Sequence, residues 1–120
     1  MPVTLDFDKA LTMASKSDFR GINLQHCDIK NIGFQESDLT GADFSNATMN
    51  GCDFTNSILV DAIFSNANMD YSCLKNANLT NSKFTGTQLQ GADLPNGHCS
   101  MNQSEQIENL RNQGINGLVI

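Results

Sequence analysis

The sequence predicts an all-β fold, a chain that turns a corner every five residues and winds into a quadrilateral parallel β-helix of about four coils. Three observations predict it. Every fifth residue from Phe19 is large and apolar: Phe19, Leu24, Ile29, Phe34, Leu39, Phe44, Met49, Phe54, Leu59, Phe64, Met69, Leu74, Leu79, Phe84, Leu89 and Leu94, without a slip of register. The residue two before each is usually small, as at Ser37, Ala42, Cys52, Ala62 and Ala77, and Asp or Asn often stands between, as at Asp38, Asp43, Asp53, Asn68 and Asp93. Like side chains also recur every fourth repeat: Phe44, Phe64 and Phe84 fall in one column, Met49 with Met69, and Phe34 with Phe54. A fixed internal period decides the architecture before any local propensity does.

A period of five fits neither regular element. On an α-helix it advances the apolar position by roughly 140°, scattering it around the cylinder. In a straight strand an odd spacing sends successive large residues to opposite faces. A chain that bends every five residues buries all of them. The small and the large residue point inward from a very short strand, the Asp or Asn points out, and the last two positions form the corner. Corner positions are rich in turn formers, including Gly21, Gly41, Asn46, Gly51, Asn56, Asn66, Gly86 and Gly91. Stacking of each coil on the last makes Phe34, Phe44, Phe54, Phe64, Phe84, Met49 and Met69 the core stack.

Residues 1–16 read as an N-terminal cap. Leu5, Phe7, Leu11 and Met13 are mixed with Asp6, Asp8 and Lys9, and Asp8 to Ser15 reads as helical. A solenoid must cover the apolar cross-section and open edge of its first coil. This start lacks a basic stretch followed by an apolar block, so it is not read as a secretory signal. Residues 17–96 are the repeats. Residues 97–120 resume ordinary grammar: Ser104 is an N-cap for a short helix through Leu110 and Arg111, with Gly114 as its stop. The ending Leu118, Val119 and Ile120 is apolar and has two readings, packing on the chain's own coils or pairing with a second copy.

The runs Ala42-Asp43-Phe44-Ser45-Asn46, Ala67-Asn68-Met69-Asp70-Tyr71, Ala77-Asn78-Leu79-Thr80-Asn81 and Ala92-Asp93-Leu94-Pro95-Asn96 resemble the pentapeptide-repeat family, with its motif A(D/N)Lxx. The resemblance implies a right-handed quadrilateral β-helix. Its members include DNA mimics that bind topoisomerases, and they often dimerise through their C-terminal ends. Ile22, Ile32 and Thr87 depart from the small position. The first two suggest a distorted first coil where a cap packs.

The net charge of −6 argues against direct nucleic-acid binding, which needs clustered Lys and Arg. No apolar run reaches the ~20 residues of a membrane span. Cys27 and Cys52 fall at inward positions, Cys73 points outward, Cys99 lies beyond the repeats, and no C-x-x-C pair exists. Free thiols in a reducing cytoplasm follow. His26-Cys27 and His98-Cys99 sit near opposite ends of the stack, so four convergent zinc ligands are not expected. With two His residues, no Ser-His-Asp set and convex sides, the chain is read as a non-enzyme without cofactors.

Surfaces remain. Ile58, Val60 and Ile63 all point outward in the third coil, around one corner, in columns otherwise held by Asp18, Asp38, Asn78, Thr40, Thr80, Asn23, Asp43 and Lys83. They are candidate contact residues for another protein or a second copy, or are covered by the chain's own termini. Tyr71, at a corner of the same coil, is a weaker candidate. The function expected is a non-catalytic protein–protein interaction scaffold. The alternative is a DNA mimic acting on DNA gyrase or topoisomerase IV. Charge density weakens the alternative. B-DNA carries one charge per ~1.7 Å, so four coils spanning roughly 19 Å would face about eleven phosphates. The repeats hold nine acids and four bases, a net of −5 spread over all four sides.

Overall fold

A left-handed backbone residue stands at every fifth position. In the computed structural model, which describes residues 16–95 together with Glu108 and Arg111, sixteen residues from Lys16 to Gly91 have φ between 57° and 73°. The residue after each corner closes the turn. Ala42 donates to the carbonyl of Leu39 and Ala67 to that of Phe64, both at 3.0 Å. Positive φ at the third residue of a four-residue turn is the type II pattern, which favours Gly or Asn. Five corners are Gly and six are Asn, and Lys16, His26, Glu36, Asp61 and Tyr71 take the same conformation.

Between corners the chain pairs in parallel with itself twenty residues on. Asp18 pairs with Asp38, Asp38 with Ile58, and Ile58 with Asn78, and the other three sides repeat the step from Asn23, Asp28 and Gly33. Four corners per twenty-residue coil make the cross-section four-sided. The coils are joined in both directions: Asp43 donates to Ile22 at 2.9 Å, and Phe44 donates to Ile63 at 2.7 Å. Each side carries one bridged residue rather than the very short strand expected, because corners five residues apart leave too little extended chain for a ladder.

The interior follows the register. Phe44 and Phe64 stack with centroids 5.1 Å apart, Phe64 and Phe84 at 4.9 Å, and Phe34 and Phe54 at 5.2 Å. The two columns meet edge to face, as Phe44 and Phe54 do at 5.8 Å. Offset stacks and edge-to-face contacts are the favoured aromatic geometries. Met49 and Met69 are fully buried in the adjoining column. Buried hydroxyls are satisfied locally. Ser57, Ser72 and Ser82 donate to the carbonyls of Phe54, Met69 and Leu79, and Thr87 donates to Phe64 at 2.8 Å, which accommodates its departure from the small position.

The first coil is not distorted as expected. Ile22 and Ile32 are buried, and their neighbours Asn23 and Gly33 pair in register with Asp43 and Asp53. The next coil offers only Ala42 and Cys52 in those inward columns, so the added volume is absorbed without a shift. Lys16 is already part of the pattern, donating to Gln35 at 2.8 Å. Residues 1–15 of the expected cap and the tail Leu118, Val119 and Ile120 lie outside the described residues. So does the expected C-terminal helix, apart from Glu108 and Arg111, which are helical and exposed.

Candidate functional site at the Asp61 corner

The outward faces have a rule of their own. The amide after each central apolar residue is the backbone donor that the inter-coil ladder leaves over in the second and third coils. The Asp or Asn two positions earlier accepts from it. Thr40 donates to Asp38 Oδ1 at 3.1 Å, Ser45 to Asp43 Oδ1 at 2.9 Å, and Thr55 to Asp53 Oδ1 at 2.9 Å. The hydroxyls of Thr40, Ser45 and Thr55 donate to the same oxygens at 2.6, 2.6 and 2.5 Å. Such Asx arrangements satisfy a donor without an added strand. Side chains also cross between coils, with Gln25 Nε2 donating to Asp43, Gln35 Nε2 to Asp53, and Asn50 Nδ2 to Asn68.

The outward Asp and Asn are therefore structural acceptors as well as solvated groups. Their outward placement in the register does not by itself reveal this. The signal was present as Asp38-Leu39-Thr40, Asp43-Phe44-Ser45, Asp53-Phe54-Thr55 and Asn78-Leu79-Thr80.

Two adjoining sides of the third coil carry aliphatic residues where the other coils are polar. Ile58 is 42% exposed, and Val60 and Ile63 are half-buried beside it. Ile58 is paired between Asp38 and Asn78, and Ile63 between Asp43 and Lys83, with Asp61 at the corner. Ile58 and Ile63 carry no oxygen for the amides of Val60 and Ser65, whereas Thr40 and Ser45 one coil earlier have that acceptor. The apolar corner thus gives up two local hydrogen bonds and leaves greasy surface in water.

Tyr71, grouped with this corner by its coil, is not brought to it. It stands two corners on, on the opposite edge of the square, so one flat partner cannot touch both. Tyr71 is 66% exposed, and its ring lies over Gly91 of the next coil, where a methyl group would meet ring carbons at 2.6 Å.

Charges are dispersed. Lys16 pairs with Glu36, Arg20 with Asp18 at 2.8 Å, and Lys30 with Asp28, all in the first two coils. The Arg20 guanidinium and amide hold the Asp18 carboxyl down to about 2. Burial pushes Asp43 up, but hydrogen bonds from Ser45 and Gln25, with the His26 charge nearby, outweigh it and leave the carboxyl below its usual value. Cys52 is buried and donates to the Ile29 carbonyl, and burial pushes its thiol up to about 12. Cys27, Cys52 and Cys73 are free thiols. Among the described residues, no group of three or more His, Cys, Asp and Glu is placed to hold a metal ion, and no helix is long and apolar enough to cross a membrane.

A family model described as pentapeptide repeats matches the chain in eight copies over residues 17–56, 49–86 and 62–98. Among solved structures, the chain is similar to Rfr23, a pentapeptide repeat protein from the cyanobacterium Cyanothece 51142. The identity is 26% and the TM-score 0.54, covering 69% of this chain and 53% of that one. It is similar to QnrB1, a plasmid-mediated fluoroquinolone resistance protein, at 20% identity and TM-score 0.60, covering 88% of this chain and 47% of that one. It is also similar to alr5209, a pentapeptide repeat protein from Nostoc PCC 7120, at 22% identity and TM-score 0.53, covering 96% and 97%. The chain spans about half the length of Rfr23 and of QnrB1. At their identities, QnrB1 and alr5209 show the fold alone. No curated protein sequence matches the chain. With the repeat model spanning the coils and solved relatives of the same architecture, the chain belongs to the pentapeptide-repeat family.

Proposed function

We propose that this protein is a non-catalytic interaction scaffold that binds another protein through the corner formed by Ile58, Val60 and Ile63. In this reading a rigid solenoid of four coils is closed by an N-terminal cap and a C-terminal helix. It works in the cytoplasm with reduced thiols and needs no cofactor, metal or membrane. The observation that carries it is the exposed Ile58, with its apolar neighbours, where the other coils keep polar residues in the same columns. Closure of the C-terminal end is supported by Phe84, Leu89 and Leu94 of the last coil, which are buried like Phe44 and Phe54 in the middle.

The DNA-mimic alternative draws on the acidic composition and is weakened by the layout. Ile58 and Asn78 follow Asp18 and Asp38 on one side, and Lys83 closes the column begun by Asn23 and Asp43. A gyrase supercoiling assay, run with light scattering on wild type and Ile58→Asp/Ile63→Asp, tests the reading. The scaffold predicts no inhibition by either protein. Inhibition retained by the acidic variant would move the protein to the DNA-mimic class. A wild-type dimer that becomes monomeric in the variant would make a second copy the partner.

A further inference from the structure

We infer that the occupant of the Asp61 corner is a cationic amphipathic segment of another protein, one that sets an aliphatic side chain on Ile58, Val60 and Ile63 and a Lys or Arg against Asp38, Asp43 and Asp61. This rests on the scaffold reading and adds the chemistry of the partner.

The charge around the patch is one-sided. Toward the second coil, Ile58 and Ile63 are paired directly with Asp38 and Asp43. Paired residues lie about 4.8 Å apart across the coils, so both carboxylates border the apolar surface. Asp61 is exposed at the corner itself, between Val60 and Ile63 in sequence. Asp43 is held ionised by Ser45 and Gln25 with the His26 charge nearby, and the Arg20 charge reaches Asp38 from the first coil while its ion pair is with Asp18. Toward the fourth coil the border is Asn78, Thr80 and the single base Lys83. An anionic ligand would meet three carboxylates, and a neutral apolar one would leave their negative charge unmatched. A segment with its cations toward the second coil satisfies the border and covers the isoleucines, and Lys83 fixes its direction.

The test is a titration of the isotope-labelled full chain, followed by amide NMR shifts. The probes are three short synthetic peptides: one alternating Val or Ile with Lys or Arg, one with the same cations and Ser for the aliphatics, and one with the same aliphatics and Ser for the cations. The first is expected to shift the amides of Ile58, Val60, Asp61 and Ile63. The cationic peptide without aliphatics should bind at least about tenfold more weakly, the loss expected when an aliphatic anchor is removed. Asp38→Asn and Asp43→Asn keep the Oδ1 acceptor, and each should weaken binding about two- to fivefold, the effect of one exposed ion pair. Ile58→Asn/Ile63→Asn should abolish the shifts in a chain that still gives a folded spectrum.

Equal binding of the peptide without cations would overturn the charge assignment and leave the scaffold reading at this corner intact. Shifts spread over all acidic sides, unaffected by the isoleucine variant, would overturn the proposal as non-specific attraction. No shift at the corner with any peptide would overturn both readings.

Discussion

One side of the solenoid carries two columns a single residue apart in sequence. Phe44, Phe64 and Phe84 form the inward column, and Asp43, Ile63 and Lys83 the outward one. The inward column keeps its chemistry from Phe44 to Phe84 because each ring's environment is the next ring. The outward column runs from acid to aliphatic to base over the same three coils. Backbone pairing is identical along both, so the difference belongs to the surroundings: close packing restricts the interior, and solvent leaves the exterior open to other demands. An isoleucine in the outward column is therefore not something the fold requires.

The largest effect should come from breaking the inward column. Phe64→Asp places a carboxylate, without a partner, between two stacked rings and should cost on the order of 5 kcal/mol or more, enough to abolish cooperative folding. Loss of the urea transition is the expected readout. A cooperative transition near that of wild type would mean that Phe64 does not point inward.

A moderate effect separates two corners. Gly91 and Gly41 both have positive φ, but Gly91 lies under a side chain, the ring of Tyr71, while a methyl group at Gly41 would meet nothing within 4 Å. Gly41→Ala should cost about 1 kcal/mol for the backbone conformation alone. Gly91→Ala should cost more and displace the ring. Tyr71 is the only tyrosine in a chain without tryptophan, so its fluorescence reports the displacement directly. Tyr71→Ala should bring the cost of Gly91→Ala down to that of Gly41→Ala.

A smaller effect is pH-dependent. Asp18 and Asp43 have folded pKa values below their ordinary ones, so each contributes stability that is present above about pH 4 and is lost as pH falls through its folded value, near 2 for Asp18. Asp43→Asn retains the acceptor for the Ser45 amide and should flatten part of the acid limb of a stability–pH curve. A limb unchanged by the substitution would show that Asp43 is not one of the groups responsible.

The columns of Phe34, Phe44, Met49 and Leu59 were legible in the sequence because a five-residue period has one simple way to bury them. The corners were legible too, since Gly and Asn mark positive φ. His26, Glu36, Asp61 and Tyr71 occupy the same conformation without that mark, and only the register gives them away. The hydrogen bonds of Asp38, Asp43 and Asp53 were not read, because an exposed Asp has an ordinary explanation in solvation alone. The Ile58, Val60 and Ile63 corner was legible as an exception to a repeat. Its separation from Tyr71 came from counting corners in the closed coil, and the crowding over Gly91 was visible only in three dimensions.

The smallest effect on stability is also the most direct test of the central claim, that the apolar corner serves contact rather than folding. Urea unfolding of Ile58→Asn/Ile63→Asn beside wild type measures it. Stability should lie within about 0.5 kcal/mol of wild type, or above it, because each Asn restores the side-chain acceptor that the neighbouring coil uses and removes exposed apolar surface. A loss of about 2 kcal/mol or more would contradict the claim, showing that the isoleucines are covered by the chain itself and belong to its core.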